Sequence, residues 1–140
     1  MITTIDPSLA IRGKILAALR SDAALTAIIP ASRIYKSQTP SEPTWPFIRL
    51  GVLMNAPLRL DGGSGGDVTG AVHCFTKGGD DPEAMAMQIN AHVARILDSI
   101  DDTEADELDI GVHVTQSQVM EDGSEASAYH GIVSIRATAT

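Results

Sequence analysis

The side chains able to support chemistry are four histidines, His73, His92, His113 and His130, one cysteine, Cys74, a glycine-rich run, Gly62-Gly-Ser-Gly-Gly66, and an acidic run, Asp98–Asp109. Metal sites commonly show H-x-H or H-x-x-x-H pairs or paired cysteines, and none occurs here. His73 and Cys74 are neighbours, but on a strand they point to opposite faces and cannot chelate together. His92 borders an apolar helical stripe and reads as a boundary residue. Cys74 has an inward phase and no basic neighbour in that phase to lower its pKa, so it reads as a small buried hydrophobe. A phosphate cradle wants free amides at a helix N-terminus and usually a lysine. Here Asp61 and Asp67 flank the glycines and a strand follows, so the run reads as a flexible hairpin tip. Gly63-Ser64-Gly65 echoes a nucleophile elbow only superficially, with no helix behind it. The acidic run lacks the D-x-D-x-D-G order of a calcium loop and reads as a solvated loop. These residues give no catalytic constellation, metal site or cofactor site, and point to a non-enzymatic binding or structural module.

The elements that must position these residues centre on 60–100. Asp67–Lys77 alternates as a strand, with Val68, Val72 and Cys74 in one phase and His73 and Phe75 in the other. Asp81 can cap a helix, Pro82 suits its first position and Glu83 its dipole. Met85, Ile89, Val93, Ile96, Leu97 and Ile100 then recur at helical spacing, with fraying expected near Ile100 where acidic residues begin. Upstream, Asp6, Pro7 and Ser8 open a helix whose apolar face is Leu9, Ile11, Ile15, Leu16 and Leu19. Asp22 recaps a short second helix through Leu25, Ile28 and Ile29, closed by Pro30. Arg33–Lys36 is a brief extended piece, and Pro40, Pro43 and Pro46 make 37–46 an irregular crossing.

Phe47–Met54 is a strand with Ile48, Leu50, Val52 and Met54 in one phase. Asn55–Gly66 is an unusually long connection, of a kind that is usually functional or disordered. Ile110–Val119 and Tyr129–Ala137 are further strands joined by a turn at Glu121–Glu125, with Ile110, Val112, Val114, Tyr129, Val133 and Ile135 inward. The expected fold is α+β: a mainly antiparallel sheet of four to five strands packed against a long helix, with an N-terminal helical segment, as a single domain over residues 1–140.

The chain has 44% hydrophobic and only 4% aromatic residues, and a formal net charge of −8. That balance argues against sequence-independent nucleic-acid binding and against a polybasic contact with lipid. One cysteine, no signal-like N-terminus and no bilayer-length apolar run give the expectation of a soluble cytoplasmic product. A second reading stays open from the residues alone: a small α+β ligand-binding or enzymatic domain with a pocket beside His73 and His113.

Several short motifs fall in a recognisable order. An N-terminal helix precedes Asp22-Ala-Ala-Leu25 and Arg33-Ile-Tyr35, and a proline-rich crossing leads into Pro46-Phe47-Ile48. Leu60-Asp61-Gly62-Gly63 comes before a strand ending in Cys74-Phe75, and an alanine-rich helix follows. From about Ile11 to Ile135 the chain resembles the tail-completion or tail-terminator family of long-tailed bacteriophages and gene transfer agents. The resemblance implies a structural virion protein at the head–tail junction, made in a bacterial cytoplasm. It implies a homo-hexameric ring that caps the tail tube protein, stops tube growth and meets the head connector or stopper, with DNA passing through unbound. Loop exposure and strand phase mark Pro57, Leu58, Arg59, Leu60, Asp61, Gly62, Gly63, Ser64, Gly65 and Gly66, with Phe47, Phe75 and Ile132, as interaction residues. Phe47, Leu53, Phe75 and Ile132 equally fit the alternative that they complete the monomer's own core.

Overall fold

Three aspartates set where the three helices begin. In the computed structural model, which describes residues 6–60, 63–101, 103–105 and 108–140, Asp6 caps α1 (Pro7–Ser21) by accepting the Ser8 amide. Asp22 caps α2 (Ala23–Thr26) through the Leu25 amide at 2.9 Å, and Asp81 caps α3 (Pro82–Asp98) through the Ala84 amide at 3.0 Å. Each cap satisfies an amide that the first helical turn leaves without a partner. The helix α3 ends at Asp98, close to where the acidic residues were expected to fray it.

The described strands are β1 (Ile34–Tyr35), β2 (Phe47–Leu50), β3 (Met54–Leu60), β4 (Gly63–Lys77), β5 (Thr103–Ala105), β6 (Leu108–Glu121) and β7 (Ala128–Ala139). They form one sheet in the order β1-β2-β4-β7-β6-β5, with β3 pairing β4 beyond β2. Only β1 and β2 run parallel; the other pairs are antiparallel. Five strands of substance with two short additions make the α+β, mainly antiparallel sheet that the alternation predicts.

Both long helices pack on one face of this sheet. Ile11, Ile15 and Leu19 of α1 and Ile89, Val93 and Leu97 of α3 share a core with Ile48, Leu50, Val68, Val72, Val133 and Ile135. Burying such aliphatic side chains is worth about 1.5–3 kcal/mol each and supplies most of the drive to fold. Where α3 crosses β7 the approach is very close: a Cβ on Gly131 would lie 2.5 Å from both Asn90 Oδ1 and Cys74 Sγ. Asn90, only 3% exposed, donates to the Gln118 carbonyl at 3.0 Å and accepts from the Cys74 thiol at 3.4 Å. Asp22, besides capping α2, receives both Arg95 guanidinium nitrogens at 2.9 and 3.0 Å and so ties α3 to the N-terminal helices.

Bulges correct two of the phases read from the sequence. The stretch Phe47–Met54 is two strands: Leu50 pairs Val72 and Met54 pairs Thr69, so one extra residue is accommodated at Gly51–Leu53. An extra residue reverses the side-chain phase. Val52 and Met54, expected inward, are therefore 84% and 72% exposed, while Leu53 packs against the core. A second register shift between Val114 and Gln116 brings Val119 onto the core.

Three further expectations change. Met85 is 38% exposed and Ala86 takes its place in the buried stripe. The connection after Met54 is no loose arm but strand β3, paired with β4 as far as Leu60↔Gly63. Part of the acidic run is strand β5, paired to β6, rather than a solvated loop. Gly62 of the glycine run and its flanking Asp61, and Asp102, Asp106 and Glu107 of the acidic run, lie outside the described residues.

Candidate functional site

With both helices on one side, the second face of the sheet has no covering layer among the described residues, and its side chains are distributed unevenly. Around β3, the far half of β4 and β7 they are polar or small: Asp67, Thr69 and Ala71 beside Ser134, Arg136 and Thr138. There Arg136 holds Asp67 through two hydrogen bonds, one at 2.9 Å and one at 2.6 Å, and keeps that carboxyl below the usual range. Toward β1 and β2 the same face turns aromatic and cationic.

Register builds that end. Phe47 on β2 faces Phe75 on β4, and Phe75 faces His130 on β7. Alternating side chains on three neighbouring strands therefore meet in one row. Phe47 and Phe75 stack with ring centroids 4.8 Å apart, and His130 stacks on Phe75 at 4.4 Å. Trp45, delivered by the proline-rich crossing through a cis Trp45–Pro46 bond, meets Phe47 edge-on at 5.1 Å. Arg33 anchors that crossing by donating to the Trp45 carbonyl at 3.0 Å. Tyr35 closes the row from β1, edge-on to Phe47 at 6.1 Å.

Two cations sit on these rings. The Arg49 guanidinium lies 5.6 Å from the Phe75 centroid, and Lys77 Nζ lies 4.7 Å from the Trp45 ring while pairing with Glu125 at 2.8 Å. Such cation–ring contacts strengthen as they lose water. Arg49 makes no ion pair among the described residues, and its Nε is buried without a hydrogen-bond partner. Beside it His73 Nδ1 and His130 Nε2 are 2.7 Å apart, so one neutral imidazole donates to the other. Burial, then His130, then Arg49 push His73 down to about 4. Burial, with Arg49 adding to it, also lowers His130, against an opposing pull from Asp122. Both rings are thus uncharged at neutral pH.

The residues singled out in the sequence divide into two groups. Phe47, Phe75 and Ile132 come together on the open face, since Ile132 pairs His73 across the β4–β7 ladder. Phe47 is only 5% exposed, covered by its aromatic neighbours. Pro57–Leu60 and Gly63–Gly66 lie at the other end of β4. Leu58↔Gly65, Arg59↔Ser64 and Leu60↔Gly63 pair only with each other, past the last β4–β7 pair at Gly66↔Ala139. Gly65 and Gly66 are buried, and a Cβ would collide with the Ala139 carbonyl at the first and with Asn55 Oδ1 at the second. The glycines there serve close approach rather than a loose tip.

His73 and His113 are not brought together. His113 is exposed opposite Arg136, four residues along β7 from the partner of His73, roughly 13 Å away at strand rise. A cleft of about 220 Å3 lies instead between the start of α1 and the Gly51–Leu53 bulge, and no histidine lines it. Among the described residues no group of three or more His, Cys, Asp or Glu is placed to hold a metal ion. Cys74 is buried as expected, its thiol pushed up to about 12 by desolvation. Among the described residues no helix is long and apolar enough to cross a membrane.

Trp45, Tyr35, Arg49 and His130 escaped the sequence reading as members of one site. The alternation of Phe47/Arg49 and His73/Phe75 carried half of the signal; the pairing of β4 with β7, which brings His130 in, did not show.

The family described as Tail completion protein gp17 matches residues 13–140. No curated protein matches the chain. Among solved structures, a chain of "Virion of native gene transfer agent (GTA) particle" shares the fold with a TM-score of 0.81 at 18% identity, covering 97% of this chain and 98% of that one.

Proposed function

Because the chain belongs to the tail completion protein gp17 family, we propose that this structural tail protein forms a six-membered ring on the end of the finished tail tube, ends tube growth and joins the tail to the head connector. The observation that carries the reading is the end-to-end likeness of its fold to a chain of a gene transfer agent virion, at 97% and 98% coverage. In this reading the protein is not an enzyme. It works as a shaped surface at the head–tail junction of the particle.

Two features of the chain support that role. A sheet face with no covering layer offers area for a neighbour, and the hairpin Leu58–Gly65 reaches past the last pair made with β7. We assign the hairpin, Pro57 to Gly66, to contact with the tube or an adjacent subunit, and Phe47, Phe75 and Ile132 to the open-face contact. The net charge of −8 keeps phosphates from being gripped as DNA passes.

The test is to replace residues 59–64 with a two-residue Asn-Gly turn, which keeps the Leu58↔Gly65 and Pro57↔Gly66 pairs in register. The shortened protein is expected to keep its melting temperature within a few degrees and to lose tube capping, scored by tail length in electron micrographs. Normal capping by that variant contradicts the hairpin's role. Capping by neither the variant nor the parent chain contradicts the terminator reading itself.

A further inference from the structure

We propose that the groove beside α1, cationic at Arg12, Arg20 and Lys36 and apolar at Leu9 and Val52, receives the start of α3 from a second copy of this chain. The inference rests on the ring reading above and names the surfaces that meet in it.

The groove is made of two clefts. The one of about 220 Å3 at the Gly51–Leu53 bulge shares Arg12 and Ser37 with a second of about 320 Å3, whose lining adds Arg20, Tyr35 and Lys36. Its two ends differ in chemistry. Leu9, 61% exposed, and Val52, 84% exposed, make one end apolar, and uncovered apolar area gains by leaving water. Arg12 and Lys36 make the other end cationic, with Arg20 held beside them by donating twice to the Ile34 carbonyl, at 2.7 and 3.1 Å. Asp6, the carboxylate in the lining, is already taken as the cap of α1.

The positive charge is unmet within the chain. Six of the 10 basic residues fall within 12–49, whereas only three of the 18 acidic residues precede position 50. None of those six cations forms an ion pair among the described residues; the pairs there belong to Lys77, Arg95 and Arg136. An acidic chain has thus kept a positive groove without carboxylate partners, and such a field attracts a surface of opposite sign.

The start of α3 supplies that surface. Asp80 and Glu83 are exposed and form no ion pair among the described residues. Met87, 53% exposed, follows Glu83 by four residues and so lies on the same side of the helix. Two carboxylates followed by a methionine match a groove that is cationic at one end and apolar at the other. Methionine and arginine are also among the residues enriched at protein interfaces. The two surfaces are separate: Asp80 and Glu83 share a cleft with Tyr129 on β7, three places along the sheet from β1, which the groove follows. Two different, complementary patches on one subunit are the requirement for a heterologous contact, which closes into a ring when the rotation allows. Groove against groove, or helix start against helix start, sets like charges together.

Reciprocal charge reversal tests this. One variant carries Arg12→Glu with Lys36→Glu; a second carries Asp80→Lys with Glu83→Lys. Association is read as native mass over a concentration series and as rings on added tail tubes in electron micrographs, with folding checked by melting curves. Each variant alone should associate at least about tenfold more weakly than the parent chain. An equimolar mixture should recover the parental mass, because alternating the two variants pairs every reversed groove with a reversed helix start around an even-numbered ring. The inference is overturned if the groove variant forms rings like the parent chain, including the case in which those rings fail to cap tubes, which would assign the groove to the tube protein. It is also overturned if both variants fold but the mixture recovers nothing. If the parent chain itself forms no ring with tubes present, the ring reading fails instead.

Discussion

The two faces of β4 differ in chemistry and in closure. Val68, Val72 and Cys74 on one side are at most 1% exposed, closed over by α1 and α3. Their polar neighbours beside α3 are satisfied: Asn90 bonds both Gln118 and Cys74, and Thr76 donates to the Pro82 carbonyl at 2.7 Å, while Asn55 Oδ1, next to Val68 at the β3 end, is buried without a partner. On the other side His73 and Phe75 stay partly exposed among rings and cations, and Arg49 has a buried nitrogen with no acceptor. A face closed over within the chain stabilises the fold. A face with unmet hydrogen-bonding capacity and exposed aromatic area holds its interactions in reserve for assembly.

If that division holds, damage to the two faces should separate. The largest effect belongs to the closed face: Ile89→Ala removes a fully buried side chain and should cost about 2–5 kcal/mol in denaturant unfolding. It should weaken assembly only as far as it unfolds the protein. A comparable loss of assembly in a variant that is still folded would blur the distinction between the faces.

A smaller effect comes from acid, and it reports the open face. The folded His73 has its pKa near 4, below the ordinary imidazole value of 6.5, so the unfolded chain takes up the proton first. Above pH 7 the group is neutral in both states and stability is flat. As pH falls from about 6.5 toward 4, stability should drop, and below that the group contributes no further slope. His73→Gln should flatten this window. Asp22 acts lower: with its pKa held near 2 chiefly by its hydrogen bonds to Arg95, its contribution is lost only as pH falls from near 4 through 2. A stability curve equally steep in His73→Gln would contradict the assignment to His73.

How much of this was legible in the sequence follows the same line. The closed face was read well, because capping residues and 3.6-residue periodicity are local signals. Asp81, Pro82, Ile89, Val93 and Leu97 stand where the spacing puts them. Met85 failed because it and Ala86 both border the stripe, and the choice is made by packing: the Cys74 thiol approaches the Ala86 carbonyl at 3.8 Å, where a small residue fits. The open face was read only in part. Alternation separated Phe47 and Phe75 from the core, but it could not reveal that β7 sets His130 on Phe75, nor that a proline crossing returns Trp45 to the row. The bulge at Gly51–Leu53 was invisible for a related reason. One extra residue is a tertiary accommodation to β4, and Val52 and Met54 look apolar in either phase.

Trp45 is the chain's only tryptophan and sits in the open-face row. Its fluorescence therefore reports directly whether a neighbour covers that face. Emission and acrylamide quenching would be recorded on the dilute subunit and again on the ring-capped tube. A blue shift and a clear fall in quenching are expected on assembly, as a neighbour closes over the face. Unchanged emission with unchanged quenching in assembled rings would mean that the open face stays open, and would contradict that closure.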